Sequence, residues 1–287
     1  MHMLIFGHGY TAAALTPQLI AAGWTVAGTT RGDPGRVTAA GATPILWPGD
    51  ADRLRAEIAR ADTILISAAP GPVTGDPVLA EFAGELLRAR PGWVGYLSST
   101  NVYGDRGGDW VDETTPPAPT TTRGKARLQA EDDWTALASR AGWPLTIFRL
   151  AGIYGPGRGP FAKLRAGTAR RIVKPGQVFS RIHVDDIAGA IMASLDRPPV
   201  PGARVINLCD DQPAPPETVI ELAANMLDLP VPPAEPFATA EMTPMARSFY
   251  AESKRVRNDR LRDEIGYHLR YPDVVSGLQA ILRAETA

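Results

Sequence analysis

Near its amino terminus the chain carries small residues at the spacing Gly7-x-Gly9-x-x-Ala12, directly after a run of apolar residues. Gly7 allows a sharp turn, Gly9 lets a phosphate approach the backbone, and the small Ala12 lets the next helix pack close to the strand. The free N–H groups at the start of that helix would face the phosphates. The pattern predicts a strand, a dinucleotide-binding turn and a helix. The residues expected to contact the dinucleotide here are Gly7, His8, Gly9, Tyr10, Thr11 and Ala12.

The end of the second predicted strand, Trp24–Thr30, bears on which dinucleotide binds. In this kind of sheet an acidic residue at that position holds the ribose 2′-hydroxyl of NAD. Here Thr30 is followed by Arg31, and a guanidinium can pair with the 2′-phosphate of NADP. The sequence therefore favours NADP as the cofactor. NAD stays possible if Arg31 is a solvated loop residue and Asp33 contacts the ribose instead.

Two later strand ends add to the expected cofactor side. Asp50 follows the third predicted strand, Pro44–Trp47, and small residues follow the fourth, Thr63–Ser67. Small side chains after a strand let a cofactor lie close to the backbone, although an ordinary loop has the same composition. The residues predicted to contact the cofactor here are Asp50, Ala68, Ala69 and Pro70.

Hydroxyl groups end the fifth predicted strand, Trp93–Ser98, and continue through Ser99 and Thr100. Hydroxyls at the carboxyl end of such a strand face the ligand crevice. Ser99 could donate a hydrogen bond to a substrate oxygen whose charge changes during hydride transfer, with Thr100 beside it as a substrate contact. The alternative is a serine that caps a turn.

The elements that must position these residues alternate between strands and helices, which predicts an α/β fold with a doubly wound parallel sheet. Residues 1–150 form the expected dinucleotide-binding domain, and residues 151–287 form mainly a small α/β substrate lobe. A strand and a helix within 182–208 are expected to return to the first domain. Residues 228–248 read as loop and Lys254–Ile265 as a charged helix.

Composition excludes several classes of protein. The chain has 287 residues, 44 % of them hydrophobic, and a formal net charge of -1 without basic or acidic runs. Nothing in it favours nucleic acid or a membrane surface as a partner. The single cysteine, Cys209, allows no internal disulfide and reads as a buried thiol. We expect a soluble cytoplasmic protein with a small-molecule substrate.

Several longer segments of the chain resemble one known family. These segments are Ser99-x-x-Val102-Tyr103-Gly104, Phe148–Gly157, Arg181–Ala188, Ser253–Asn258, Leu261–Gly266 and Tyr271-Pro272. With the glycine-rich turn they run from residue 3 to about residue 278, and together they are similar, in the same order, to the extended short-chain dehydrogenase/reductases, the superfamily of NAD-dependent epimerases and dehydratases. The resemblance implies a Rossmann domain, a nicotinamide cofactor, a small substrate lobe and a possible homodimer.

In the matching segments, Tyr154 begins a turn that would place the backbone beside the nicotinamide. Arg181 could bind a substrate phosphate or carboxylate through two hydrogen bonds, or it could pair with one of the aspartates that follow it. Phe161 would line the substrate side. The two aspartates, Asp185 and Asp186, have no neighbouring His or Cys ligands, so no metal site is expected.

The family's proton-transfer pair, Tyr-x-x-x-Lys at the start of the helix after the fifth strand, is incomplete here. Lys125 fits the lysine position, as a cofactor-ribose and catalytic residue, and the tyrosine position then falls on Thr121. A threonine hydroxyl is too weakly acidic for this task, and losing such a group lowers turnover roughly 10²–10⁴-fold. Tyr103, Tyr154 or a water could carry the proton, or the alignment could be offset. The pattern resembles the atypical subgroup that lacks the tyrosine.

Three hypotheses follow. The first is an NAD(P)-dependent oxidoreductase or epimerase-like enzyme that acts on a small polar or sugar-like substrate. The second is a non-catalytic NADP-binding sensor or scaffold. The third is a sugar-nucleotide enzyme with tightly bound NAD. Ser99 and Lys125 favour an enzyme, whereas Thr121 favours the sensor.

Overall fold

The computed structural model describes residues 1–198 and 202–286. In these ranges the strands, in chain order, are β1 (His2–Phe6), β2 (Thr25–Thr30), β3 (Thr43–Leu46), β4 (Thr63–Ile66), β5 (Trp93–Ser99), β6 (Trp110–Val111), β7 (Leu145–Leu150), β8 (Gly152–Tyr154), β9 (Arg171–Val173), β10 (Arg181–His183), β11 (Ala203–Leu208), β12 (Ala234–Pro236) and β13 (Arg255–Val256). The α-helices are α1 (Tyr10–Ala21), α2 (Gly35–Ala39), α3 (Ala51–Arg60), α4 (Pro77–Arg88), α5 (Thr122–Ala141), α6 (Phe161–Arg165), α7 (Val184–Leu195), α8 (Pro216–Met226), α9 (Pro244–Phe249) and α10 (Val274–Thr286).

The central sheet has the strand order β11-β7-β5-β4-β1-β2-β3, and every pair of neighbours is parallel. The order reverses direction at β1, where the chain first winds toward β3 and then toward β11. This arrangement confirms the predicted Rossmann fold. Parallel strands need covered faces on both sides, which explains their nearly continuous apolar sequences.

Two apolar layers cover the sheet. On one face, α1 and α7 pack against it through buried residues that include Leu15, Leu19 and Ile191. On the other face, α3, α4 and α5 contribute residues that include Phe82 and Trp134. Helices therefore flank both sides, and the carboxyl ends of the strands stay free at one edge. Ligands bind at this edge in doubly wound folds, next to the point where the strand order reverses.

A third apolar cluster joins elements from the carboxyl-terminal half of the chain. It contains Tyr154, Phe161 and residues of α8 and α10. Strand β11 also comes from the carboxyl-terminal half, but it pairs with β7 at the edge of the central sheet. The later segments therefore extend the sheet at one end and build a separate wall beside its ligand-binding edge.

Two predictions for the carboxyl-terminal segments are wrong. Lys254–Ile265 is not one helix, because Arg255 and Val256 pair with Trp110 and Val111 as β13, and only Leu261–Ile265 forms a π-helical turn. Residues 228–248 are not only loop, since β12 and most of α9 lie there. Both differences come from pairing with residues distant in sequence, which local composition does not reveal.

Within the described ranges, no helix combines the length and apolar character needed to cross a membrane.

Cys209 is buried, as predicted, and its thiol donates a hydrogen bond to the carbonyl of Val256. Burial raises the pKa of this thiol.

Candidate functional site

A continuous cleft of about 1870 Å³ runs along the carboxyl edge of the sheet. The turn after β1 and the ends of β2, β4 and β5 form one side. The start of α5, the segment after β7 and residues 178–181 and 248–256 form the other. Ligand pockets commonly have about 300–1,000 Å³. The cleft therefore has room for a dinucleotide together with a small second ligand.

The glycine-rich turn opens into this cleft. Gly7 has φ +86°, and a Cβ there would lie 2.8 Å from the amide nitrogen of Ala68. Gly9 precedes α1 without a side-chain cap, and the first turn of α1 holds no acidic residue. The positive end of α1 is therefore open to an anion, which fits a pyrophosphate. Among the predicted contacts, Gly7, His8, Gly9, Tyr10 and Thr11 line the cleft, whereas Ala12 is fully buried in the core behind it.

Tyr10 connects the glycine-rich turn to the opposite wall. Its hydroxyl donates a 2.9 Å hydrogen bond to the carbonyl of Pro156, and the guanidinium of Arg158 lies 5.6 Å from its ring centre. Burial raises the pKa of Tyr10 to about 12, so its phenol stays protonated at neutral pH. Tyr10 thus holds the two walls together across the cleft.

The end of β2 contributes two arginines to the cleft. Arg31 and Arg36 both line it together with Thr30 and Asp33. In the described part of the chain neither arginine pairs with a carboxylate. One oxygen of Asp33 accepts a 2.8 Å hydrogen bond from the backbone N–H of Gly35. The cationic character expected from Arg31 is therefore stronger than the sequence suggested, because Arg36 of α2 joins it.

Of the cofactor contacts predicted after β3 and β4, Asp50 and Pro70 lie outside the cleft. Asp50 is exposed and caps α3, where its carboxylate accepts a hydrogen bond from the N–H of Arg53. Pro70 does not line the cleft, although its neighbours Ala68 and Ala69 do. Trp47 and Pro48 line the cleft directly after β3, whereas the side chain of Asp50 serves as the cap of α3.

The end of β5 supplies the predicted hydroxyl groups. Ser99 and Thr100 line the cleft, and the Ser99 oxygen also accepts a 3.2 Å hydrogen bond from the N–H of Asn101. Ser99 therefore caps a turn, which was the alternative considered from the sequence, and it also lines the cleft. Behind it, Ser98 donates a hydrogen bond to Glu131, whose carboxylate is held at 2.7 Å by buried Arg149.

Tyr103 is not a cleft residue, contrary to the prediction. It is fully buried, and its hydroxyl donates a 2.8 Å hydrogen bond to the side-chain oxygen of Asn207. The guanidinium of Arg149 lies 4.8 Å from its ring centre. Burial raises the pKa of Tyr103 to about 12. The 3₁₀ turn after Ser99 rotates this side chain into the core, away from any substrate.

Helix α5 presents different residues from those predicted. Thr121 lines the cleft, but its hydroxyl caps the helix by accepting a 3.1 Å hydrogen bond from the N–H of Gly124. Lys125 is exposed and does not line the cleft. Arg123 and Arg127 line it instead. The geometry therefore corrects the assignment of Lys125 as a cleft residue.

The packing of Gly124 explains why Arg123 and Arg127 face the cleft. A Cβ on Gly124 would lie 2.9 Å from the carbonyl oxygen of Asn101, so the helix packs directly against the loop after β5 at this residue. The spacing of one helical turn fits Thr121 with Lys125 and Arg123 with Arg127 equally well. The one available signal in the sequence was Gly124, a residue with no side chain near the start of a helix.

In the wall after β7, Tyr154 and Arg181 line the cleft, whereas Phe161 is buried. Tyr154 lines the cleft and its hydroxyl donates a 3.3 Å hydrogen bond to the carbonyl of Asp273. Burial raises the pKa of Tyr154. Phe161 is 3 % exposed and belongs to the third apolar cluster, so it does not reach the cleft.

Arg181 lines the cleft and interacts electrostatically with the buried Asp210, but no carboxylate oxygen among the described residues lies within ion-pair distance of it. Its Nη1 donates 3.0 Å hydrogen bonds to the carbonyls of Phe179 and Ala214. The aspartates that follow it are used elsewhere. The N–H of Asp185 donates to the His183 ring, and Asp186 accepts from Tyr267 and two backbone N–H groups. The alternative of an ion pair with these aspartates is therefore wrong.

Sequence reasoning missed one ion pair in the cleft. Lys254 donates 2.7 Å hydrogen bonds to Glu252 and to the carbonyl of Gly104, and Thr120 donates a 2.9 Å hydrogen bond to Glu252. Both charged residues are nearly buried and line the cleft. The family resemblance covered Lys254 within Ser253–Asn258 but assigned it no role in the cleft, and Glu252 lies outside that segment. Both residues reach the site because β13 pairs with β6. In the described ranges no group of three or more His, Cys, Asp or Glu side chains could hold a metal ion.

The chain is similar to several known proteins. A family model described as the NAD dependent epimerase/dehydratase family matches residues 3–209. Protein YeeZ of Escherichia coli (strain K12) is 30 % identical over 295 residues, which cover 94 % of this chain and 96 % of YeeZ.

Solved structures share the whole fold. A functionally unknown conserved protein from Silicibacter pomeroyi DSS is 50 % identical, with a TM-score of 0.90 over 100 % of this chain and 99 % of that one. MoeE5, solved with UDP-glucuronic acid and NAD, is 21 % identical, with a TM-score of 0.80 over 99 % of this chain and 100 % of its own. The latter likeness concerns the fold alone. From the family match and the relation to YeeZ, this chain belongs to the NAD-dependent epimerase/dehydratase family.

Proposed function

We propose that the protein is an NADP-dependent oxidoreductase or epimerase-like enzyme that acts on a small polar substrate. One observation carries this proposal. A single cleft connects the glycine-rich turn at Gly7, the hydroxyl of Ser99 at the end of β5, and the guanidinium of Arg181 on the opposite wall. Cofactor and substrate positions are therefore parts of one continuous space.

The residues that line the cleft favour one orientation of a bound dinucleotide. The open amino terminus of α1 would hold the pyrophosphate, and Arg31 and Arg36 would hold a 2′-phosphate at the end of β2. NADP is favoured over NAD because two guanidinium groups there lack carboxylate partners. When bound, the cofactor supplies hydride transfer.

Ser99 would orient and polarise the reacting oxygen of the substrate, since its hydroxyl faces the cleft at the end of β5. Neither tyrosine considered from the sequence is suited to carry the proton. Tyr103 is buried away from the cleft, and the hydroxyl of Tyr154 already donates its proton to the carbonyl of Asp273. We therefore propose that water exchanges the proton with the substrate oxygen.

The cofactor part of the proposal is tested by titrating the protein with NADPH and NADH while nucleotide fluorescence and melting temperature are followed. We expect NADPH to bind with higher affinity and to raise the melting temperature more. A Gly9→Val variant should lose binding of both, because the added side chain would stand where the phosphates approach. If neither nucleotide binds to the wild-type protein, the proposed function is wrong.

A second candidate function is a non-catalytic NADP sensor. It is favoured by helix α5, whose cleft face carries arginines where a proton-transfer pair would otherwise stand. The two functions differ in turnover. NADPH oxidation over a panel of aldehydes, ketones and keto acids would support the enzyme, whereas tight binding of NADPH with no oxidation of any of them would favour the sensor.

A further inference from the structure

Helix α5 places two unpaired cations on the wall of the cleft. Arg123 and Arg127 are one helical turn apart and both line the cleft. Arg127 donates a hydrogen bond to the carbonyl of Leu97 on β5, the strand that ends at Ser99. In the described part of the chain neither forms an ion pair with a carboxylate. On the neighbouring helices α3 and α4, by contrast, most arginines have a carboxylate oxygen within 4.0 Å. Arg127 interacts electrostatically with the buried carboxylate of Asp76, but no carboxylate oxygen among the described residues lies within ion-pair distance of either guanidinium group.

Arg127 is held in place on one side only. Its Nη1 donates hydrogen bonds of 2.8 Å to the carbonyl of Leu97 and 3.2 Å to the hydroxyl of Tyr96. Within residues 1–198 and 202–286, its Nε and Nη2 donate to no protein acceptor. Arg123 is exposed, lines the cleft and forms no hydrogen bond through its side chain with any of these residues. A guanidinium fixed by one nitrogen and free at the others is well suited to bind a planar oxyanion.

The positions of Arg123 and Arg127 are electrostatically unfavourable when no anion is bound. Like charges one turn apart on a helix repel each other. Arg123 also lies in the first turn of α5, where the helix dipole disfavours a cation. An anion bound between the two side chains would offset both effects. The arrangement therefore favours a ligand that carries negative charge.

The other residues that line the cleft also carry a net positive charge. Arg158, Arg181 and Lys254 also line the cleft, and the acidic residues of its lining are Asp33, Glu81 and Glu252. Glu252 already accepts hydrogen bonds from Lys254 and Thr120. It is therefore not available to neutralise the arginines of α5. The cleft lining therefore carries more basic than acidic side chains, which favours an anionic ligand.

We propose that Arg123 and Arg127 bind an oxyanion of the substrate, a carboxylate or a phosphate, next to the carbon that reacts beside Ser99. This inference rests on the proposed function and makes it more specific. The substrate class becomes a carbonyl or hydroxy compound with an acidic group near the reacting carbon, such as a keto acid or a phosphorylated ketone. The pair orients the substrate and takes no part in proton transfer, because guanidinium groups stay protonated.

The test measures binding of two simple oxyanions, oxalate and inorganic phosphate, by calorimetry to the wild-type protein with and without NADPH. The variants are Arg123→Gln, Arg127→Gln and, as the matched control on the same helix, Lys125→Gln. Loss of a charged hydrogen-bonding partner should weaken binding of the preferred anion about tenfold or more in either arginine variant. Lys125→Gln should bind it as the wild type does. The preference between oxalate and phosphate identifies the acidic group.

The outcomes separate this inference from the proposed function. If wild-type protein binds neither anion, or if Lys125→Gln weakens binding as much as Arg123→Gln, the oxyanion site is wrong even when NADPH binds. If Arg123→Gln weakens NADPH and not oxalate or phosphate, the pair serves the cofactor and the inference is also wrong. If the anions bind in an Arg123-dependent manner but no dinucleotide binds, the proposed function fails and the oxyanion site stands.

Arg127→Gln loses contacts to β5, so its melting temperature is measured alongside. The exposed Arg123 makes no such contact, and its variant keeps the test valid if Arg127→Gln does not fold. A second readout uses NADPH oxidation with pyruvate and with its methyl ester. We expect the wild type to prefer pyruvate and Arg123→Gln to lose that preference. An equal rate with both compounds in the wild type would contradict a carboxylate site.

Discussion

Nη1 of Arg127 donates a 2.8 Å hydrogen bond to the carbonyl oxygen of Leu97, which fixes the middle of α5 to the end of β5. This contact sets the rotation of the helix relative to the cleft. It brings Arg123 inward one turn earlier and leaves Lys125 exposed outside. The chemistry available on this wall is therefore binding of negative charge.

Ser99 is the residue whose removal should affect turnover most directly. Ser99→Ala should lower NADPH-dependent turnover by about 100-fold, because the substrate oxygen loses a hydrogen-bond donor as its charge develops. Steady-state kinetics on the first active carbonyl compound would measure this. Ser99→Thr keeps both the hydroxyl and the turn cap and should retain most activity. Equal losses in the two variants would instead indicate a structural role for the residue.

Arg31 and Arg36 should decide the choice between cofactors. Replacing either with alanine should raise the Kd for NADPH about tenfold, since a charged hydrogen bond to the 2′-phosphate is lost, and should leave the Kd for NADH nearly unchanged. Fluorescence titration of both nucleotides measures the ratio. Arg53→Ala, on α3 and outside the cleft, is the matched control. A similar loss of affinity for NADH would rule out a 2′-phosphate site.

The buried pair Glu131–Arg149 should be important for stability. Nη2 of Arg149 lies 2.7 Å from a Glu131 oxygen, and the two side chains are 6 % and 4 % exposed. Removing one partner leaves a buried charge, so Arg149→Met should lower the free energy of unfolding by about 3 kcal/mol. Urea unfolding would measure it. Adding Glu131→Leu to this variant should recover part of the loss, and a further large decrease would contradict the explanation.

Asp210 should make stability depend on pH. It is 1 % exposed, neither carboxylate oxygen has a hydrogen-bond partner in the described structure, and burial raises its pKa to about 8. An exposed aspartate has a pKa of about 4. Between these values the folded protein keeps a proton that the unfolded chain releases, so this group lowers stability as pH rises from about 4 to 8.

Asp210→Asn removes that titration. We expect the free energy of unfolding of the variant, relative to wild type, to increase with pH by on the order of 1 kcal/mol per pH unit across this window. Urea unfolding at pH 5, 6, 7 and 8 measures the difference. Asp52→Asn, at an exposed site on α3, should show no such trend. Parallel curves for wild type and Asp210→Asn would show that Asp210 ionises normally in the folded protein.

The sequence predicted those parts of the site that depend on neighbouring residues. The glycine-rich turn needs only Gly7, Gly9 and the strand and helix around them, so its type followed from the local pattern. Ser99 was found in the same way, because it ends an apolar strand. Alternation of strands and helices likewise predicted the parallel sheet, since hydrophobic periodicity is a local property.

Other assignments failed where the direction of a side chain depends on distant contacts. Tyr103 points into the core because its hydroxyl meets Asn207, 104 residues later. Phe161 packs against helices that fold from the last quarter of the chain. Glu252 and Lys254 reach the cleft because β13 pairs with β6.

The sequence by itself determined the fold, the glycine-rich turn and the family resemblance, because each is encoded in residues close together along the chain. Only the tertiary structure decided which residues of α5 face the cleft. A helix with charged residues on several faces satisfies the same spacing in more than one rotation. The close approach of Gly124 to the carbonyl of Asn101 selects one of these rotations, and it turns Arg123 and Arg127 toward the ligand.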